Sequence, residues 1–252
     1  MIKIDENNYI EWKNSPWNGK PLGNVSSVDI TDFKADSLTL ALELLSQFNH
    51  KTEAISYISS RINSQDMHLV KALGMSGYSM VEIAMKVTGI ISKLKIDNSQ
   101  FNKYKFIQTS SLSDDIPIIV DFAKKYFNFG KFHEDPLIDR IAAETRNSNM
   151  VLDLIKTSKI YIGKVNNEII GFMILKESDK FIEFQLGGIH PGYRHLSYSF
   201  WNKIFEEYKN KGIGKFTTTI SAGNTPVVNL YSRFGFKFAQ TFYGYRKLKK
   251  HY

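Results

Sequence analysis

Apolar residues recur along the chain with two periods, and the switches between them mark out its elements. Tyr9–Trp12 and Asn24–Ile30 have the β-branched and aromatic content of strands around a Pro/Gly/Asn-rich connection, Trp17-Asn-Gly-Lys-Pro-Leu-Gly23. From Asp36 to Phe48 the period lengthens, with Leu38, Leu42 and Leu45 on one helical face. Glu53–Ser59 reads as a strand, Asp66–Leu73 as a helix stopped at Gly74 or Gly77, and Tyr78–Val87 as a further strand. The polar stretch Gly89–Lys105 is expected to be a linker between a small α/β unit, residues 1–100, and a larger one, residues 104–252.

The larger unit opens with a strand, Tyr104–Gln108, and a helix, Ser113–Tyr126, whose first turn carries Asp114 and Asp115. Phe127–Pro136, aromatic, polar and proline-ended, is expected as a surface loop with ligand potential. Helical signals over Leu137–Lys156 lead to three strands, Ile160–Val165, Ile169–Lys176 and Phe181–Ile189. Asn166-Asn167 and Ser178-Asp179 supply the turns of this antiparallel meander. Leu196, Phe200, Ile204 and Tyr208, joined by Trp201 and Phe205, predict a strongly amphipathic helix, and Lys215–Ser221 returns as a strand.

The segment Ile220–Phe236 organises the rest. Thr225-Pro226 is a helix start, Val227, Leu230, Tyr231 and Phe234 give one apolar face, and Gly235 stops the helix before an aromatic-rich strand. Asn224 and Tyr231 lie two helical turns apart, so an amide and a phenol point into one cleft. A weaker echo, a helix followed by Met75-Ser-Gly-Tyr78 and a strand, occurs in the first unit without the Asn and the Tyr.

Composition narrows the chemistry. Hydrophobic residues make up 42% of 252, enough for a substantial core. No apolar run approaches the roughly 18 residues of a membrane span, and Met1-Ile-Lys-Ile-Asp-Glu-Asn-Asn lacks a signal-peptide core, which points to the cytoplasm. With no cysteine and six histidines without ligand spacing, thiol chemistry is excluded and a metal is not expected. The net charge of +8 suits an anionic ligand; nucleic acid is not expected, because no recognition motif accompanies it. Arg246, Lys247, Lys249 and Lys250 read as a solvated tail.

Asn224, Leu230, Tyr231, Gly235 and Phe236, followed by Phe242, Tyr243 and Tyr245, resemble the last block of the Gcn5-related N-acetyltransferases (GNAT). The element order from Tyr104 to Lys247 is similar to that family's as well. The resemblance implies an α/β (α+β) fold, the GNAT acyl-CoA N-acyltransferase fold with a mixed, mainly antiparallel sheet, here preceded by a degenerate half-GNAT-like unit. Ile189-His-Pro-Gly-Tyr-Arg-His-Leu-Ser-Tyr-Ser199 resembles the family's pyrophosphate loop at Ile189, Pro191, Tyr193 and Arg194. Ser197 and Ser199 stand where the family has glycine, so the loop is either an altered acyl-CoA site or a lost one. On this resemblance the cofactor-binding residues are Gly188, Ile189, Arg194, His195, Leu196, Ser197, Tyr198, Ser199 and Asn224. The catalytic ones are Tyr231, as acid toward the coenzyme A thiolate, and Glu183, either a base in an apolar strand or an ordinary solvent-facing carboxylate.

Phe132-His-Glu-Asp-Pro136, Gly223-Asn-Thr-Pro226 and the N-terminal unit are similar to the dTDP-fucosamine N-acetyltransferase group. That likeness implies acetyl-CoA or another acyl-CoA as co-substrate, a dTDP- or UDP-linked amino sugar as acceptor, and His133, Asp135 and Tyr243 as its contacts. The alternative is a GNAT-like module, catalytically altered, that binds or regulates a partner.

Overall fold

The computed structural model describes residues 1–249. The first part of the chain supplies β1 (Ile2–Lys3), β2 (Tyr9–Asn14), α1 (Pro16–Gly19), β3 (Ser27–Lys34), α2 (Leu38–Lys51), β4 (Tyr57–Asn63), α3 (Met67–Met75) and β5 (Ser79–Ile90). The second supplies β6 (Lys105–Thr109), α4 (Ile116–Tyr126), α5 (Arg140–Leu154), β7 (Lys159–Val165), β8 (Glu168–Glu177), β9 (Phe181–Ile189), α6 (Ser197–Asn210), β10 (Lys215–Ser221), α7 (Thr225–Arg233) and β11 (Lys237–Leu248). β4 starts four residues later than the pattern suggested, because α2 runs on to Lys51 and a hydrogen-bonded turn from Thr52 to Ile55 follows it.

All eleven strands lie in one sheet, in the order β1-β2-β3-β4-β11-β5-β10-β9-β8-β7-β6. The sheet is mainly antiparallel. Its parallel pairs, β3 with β4 and β9 with β10, are each joined through a helix, α2 or α6, as a parallel crossover requires. The order is close to a palindrome about the β11–β5 pair. β5, from the first part of the chain, lies between β10 and β11; β11, from the second, lies between β4 and β5. α3 and α7, which lead into these two strands, both end at glycines in the left-handed region, Gly77 at φ 80 and Gly235 at φ 70. The echo in the sequence is therefore a pair of neighbouring strands in the structure.

Gly89 belongs to β5 and pairs with Phe216, which corrects its reading as the first residue of a linker. A side chain there would meet the Phe236 ring at 2.2 Å, so glycine is what lets that ring cross the strand. Alternation along β7 and β8 sorts the core into two layers. Tyr161, Met173 and Leu175 face the aromatic cluster under α6, with Phe184, Phe205, Phe216, Phe234 and Phe236. Ile160, Ile162, Phe172 and Ile174 face α4 and α5. A third cluster packs α2 and α3 on β2–β4.

Two expectations about polar segments are corrected. The segment 127–136 is a surface loop only in part: Asn128, Phe129 and Pro136 are exposed, whereas Phe132 and Asp135 turn inward and are only 1% and 2% exposed. The basic end of β11 is no solvated tail. Arg246 is buried against Asp135, and the Lys247 and Lys249 ammonium groups donate to the carbonyls of Ser76 and Thr52; Lys250 lies outside the described residues. No helix among the described residues is long and apolar enough to cross a membrane.

Candidate active site

β9 and β10 pair in parallel only from Phe181 opposite Lys215 to Phe184 opposite Thr218. At the point of parting, Thr218 Oγ1 donates to the Phe184 carbonyl at 2.8 Å, which ends the ladder with a side chain. Beyond it, Gln185–Ile189 have β8 on one side and no strand on the other. That free edge offers backbone N–H and C=O groups to an extended ligand. Gly187 and Gly188 keep it low: a side chain at Gly188 would meet the Phe127 ring at 2.7 Å, and one at Gly187 the Met173 sulfur at 2.6 Å.

The inward-turning segment closes one side of the opening. Phe127 lies on Gly188, Tyr126 and His190 meet at 3.0 Å, and Glu134 Oε1 accepts from the Gly130 N–H at 2.9 Å and from the Ser221 hydroxyl at the end of β10. Ser221 Oγ in turn accepts from the Gly223 N–H at 3.0 Å. A carboxylate thus stands where β10 runs into the Asn224 turn. Glu134 lies within the Phe132-His-Glu-Asp-Pro136 block, between the two residues expected there as substrate contacts, His133 and Asp135.

α7 frames the other side. Asn224 caps it by accepting from the Val227 N–H at 3.4 Å, and its amide Nδ2 has no partner among the described residues. Tyr231 is 3% exposed and packs against Phe216 and Phe236. Its hydroxyl oxygen accepts from Trp201 Nε1 at 3.2 Å. Burial pushes the phenol's pKa up and the Trp201 bond partly offsets this, so Tyr231 keeps its proton throughout the neutral range.

Residues 191–196 form a 3₁₀ turn running directly into α6. Its amides are largely spent inside: Gly192 N–H donates to His190 Nδ1 at 3.1 Å, Tyr193 N–H to the His190 carbonyl and Ser197 N–H to that of Arg194. This is tighter than the open glycine loop of the resemblance. Ser199 is buried, its hydroxyl 3.1 Å from that of Tyr104, and Leu196 lies in the core, so neither side chain is free for a phosphate, though their backbone amides begin α6. Tyr198 stacks on Phe234 at 4.4 Å with the Arg233 guanidinium over its ring. Arg194 and His195 are exposed and Ser197 is half-buried.

The remaining candidates scatter. Glu183 sits in the paired part of β9, opposite Thr217 and exposed, which favours the solvent-facing carboxylate over the base in apolar surroundings. Asp135 is held in two hydrogen bonds by Arg246. His133 Nε2 accepts from Asn147 Nδ2 at 2.9 Å, and burial together with Arg146 lowers its pKa. It borders a small cavity of about 260 Å³ with Asn128 and Arg140. Tyr243, on β11, packs against the α2–α3 core and away from the opening.

Behind the inward segment lies a set of paired ions that sequence reasoning missed, all largely buried except Arg61, whose side chain is 44% exposed. Lys131 Nζ donates to Asp29 on β3 at 3.0 Å and to Ser59 on β4 at 2.7 Å, and Arg61 grips Glu82 through two bonds of 3.0 Å. Burial pushes the Lys131 ammonium down to about 8 against the attraction of Asp29. Burial alone would raise the Asp29 carboxyl, but Lys131 and the Ser59 hydroxyl hold it below its ordinary range. No cluster of His, Cys, Asp or Glu among the described residues is arranged to hold a metal.

Residues 121–236 match the model of the acetyltransferase (GNAT) family. No curated protein matches the chain significantly. A functionally unknown conserved protein from Staphylococcus epidermidis ATCC 12228 superposes with a TM-score of 0.64 at 15% identity, over 98% of this chain and 94% of that one. A GCN5-related N-acetyltransferase from Sphaerobacter thermophilus gives 0.64 at 12% identity, over 95% and 76%. A tandem GNAT protein from the clavulanic acid biosynthesis pathway gives 0.55 at 7% identity, over 90% and 76%. At such identities the likeness is one of fold. The family match covers the meander, the parting of β9 from β10 and α7, somewhat under half of the chain.

Proposed function

We propose that the protein transfers an acetyl or other short acyl group from acyl-CoA to a primary amine in the opening between β9 and β10. The parting of these strands after Phe184 and Thr218, inside the family-matched segment, carries the reading. The pantetheine arm adds as a strand along Gln185–Ile189, with the Asn224 amide as a further donor, and Arg194 and His195 supply positive charge toward the pyrophosphate. The amine approaches from the side of Phe127 and Glu134.

The chemistry balances without a metal. The amine nitrogen attacks the thioester carbonyl carbon, and the carbon–sulfur bond breaks as the tetrahedral adduct collapses. Nitrogen gives its proton to a carboxylate, for which Glu134 is the better placed of the two candidates. The leaving thiolate takes the proton of Tyr231, and the Trp201 N–H stabilises the phenolate until it is reprotonated.

In its finer form the acceptor is the amino group of a dTDP- or UDP-linked sugar. The support is the Phe132–Pro136 and Gly223–Pro226 resemblance, of which Glu134 and Asn224 reach the opening. Residues 1–100 then act as a supporting unit that lends β5 to the sheet of residues 104–252, in a protein of the cytoplasm. Thiol release from acetyl-CoA, followed over a panel of dTDP- and UDP-amino sugars, polyamines and peptides, tests this. Release with an amino sugar supports the finer reading; release with a polyamine or peptide alone removes the sugar and leaves amine acylation standing.

A second reading has its own observation. The 3₁₀ turn at Pro191–Leu196 spends the amides a pyrophosphate needs, which suits a GNAT-like module that binds or regulates a partner without acyl-CoA. Absence of heat on titration with acetyl-CoA selects that reading.

A further inference from the structure

We propose that the end of the sheet opposite the opening holds a second binding site, for a small ligand with an apolar body and a multiply charged anionic head, such as an aryl phosphate. A cavity of about 750 Å³ is bordered there by Lys86, Lys93, Lys215 and Lys237, with Phe181 and Ile90. Strand register brings these together. Lys215 pairs with Phe181 on β9 and with Ile90 on β5, while Lys237 pairs with Thr88, two residues from Lys86. Residues paired in register share a face, so the cations of three strands project around one apolar floor.

The charge balance is the informative part. None of the four lysines makes an ion pair or a hydrogen bond among the described residues, and no carboxylate lines the cavity; Glu183, on the same face opposite Thr217, lies just outside it. Some lysines elsewhere are matched, as Lys164 is with Asp115 and Lys211 with Glu207, and others are single; here four unmatched ones converge on one cavity. Phe181 and Ile90 remain 43% and 45% exposed, apolar surface that a ligand would cover. Compact ammonium groups act as point charges and suit a phosphate carrying two charges better than a single carboxylate. The volume is that of a small-molecule site.

The site is separate from that for acyl-CoA and does not rest on it. β9 runs from Phe181 at the cavity to Ile189 at the opening, nine residues or about 30 Å of strand. The test is a fluorescence titration with 1-naphthyl phosphate, 1-naphthol and inorganic phosphate as separate probes. Naphthyl phosphate is expected to bind about tenfold more tightly than either fragment, and to weaken as salt rises. The double variant Lys215→Gln/Lys237→Gln changes two exposed side chains and is expected to lose about tenfold in this affinity with its melting temperature unchanged. Arg194→Ala should leave it unaltered. Equal binding of naphthol, wild-type affinity in the double variant, or loss of binding in Arg194→Ala would overturn the proposal, whatever the protein does with acetyl-CoA.

Discussion

Arg246 and Asp135 meet through two hydrogen bonds, Nε to Oδ2 at 2.6 Å and Nη2 to Oδ1 at 2.8 Å, with both side chains almost wholly buried. The pair ties the last strand to the segment that closes the active-site opening. Removing one partner strands the other charge in the interior, so Asp135→Ala is expected to destabilise the fold by about 3–5 kcal/mol. Urea denaturation measures this. Unchanged stability with a raised KM for the amine would return Asp135 to substrate recognition.

Lys131 makes stability depend on pH. Its ammonium titrates near 8 in the folded protein and at the ordinary 10.5 in the unfolded chain. Between those values the unfolded chain holds more protons, so this group makes unfolding progressively harder as pH rises through that window, by on the order of 3 kcal/mol in all. The advantage of the wild type over Lys131→Met should therefore widen from pH 8 to 10. A constant gap would mean that Lys131 titrates normally.

Gly89→Ala places a methyl group 2.2 Å from the buried Phe236 ring. Overpacking of this kind costs about 1–3 kcal/mol, and the loss should be largely recovered in Gly89→Ala/Phe236→Leu, where the ring is gone. Thermal melts of the two variants decide it.

Tyr231→Phe keeps the ring among Phe216 and Phe236 and removes the proton. Turnover should fall by roughly 10²- to 10⁴-fold with acetyl-CoA affinity preserved. A turnover number equal to that of the wild type would take Tyr231 out of the mechanism.

Much of the fold is legible in the sequence where periodicity and punctuation agree. Phe181–Ile189 and Lys215–Ser221 have the strand limits the pattern predicts, and the helix opening at Thr225-Pro226 lies in place because proline and Gly235 mark its ends. Periodicity says that a segment is a strand but not which strand it joins, so the exchange of β5 and β11 stayed hidden behind an apparent linker. Burial of charge stayed hidden for the same reason. Asp135, Arg246, Lys131 and Asp29 look like solvated residues until partners distant in the chain close on them. Ser199 resembles a phosphate-loop position by its spacing from Arg194, but that the hydroxyl of Tyr104 takes its side chain into the core could not be read from spacing.

Binding of the thioester at the free edge of β9 can be followed by calorimetric titration with acetyl-CoA. Saturable heat at one site per chain is expected, weakened in Asn224→Ala and in Arg194→Ala, with a thermal stabilisation of about 2.7 kcal/mol when the ligand is present at 100 times its dissociation constant. No heat and no stabilisation, with acetyl-CoA and with longer acyl-CoAs alike, would contradict it.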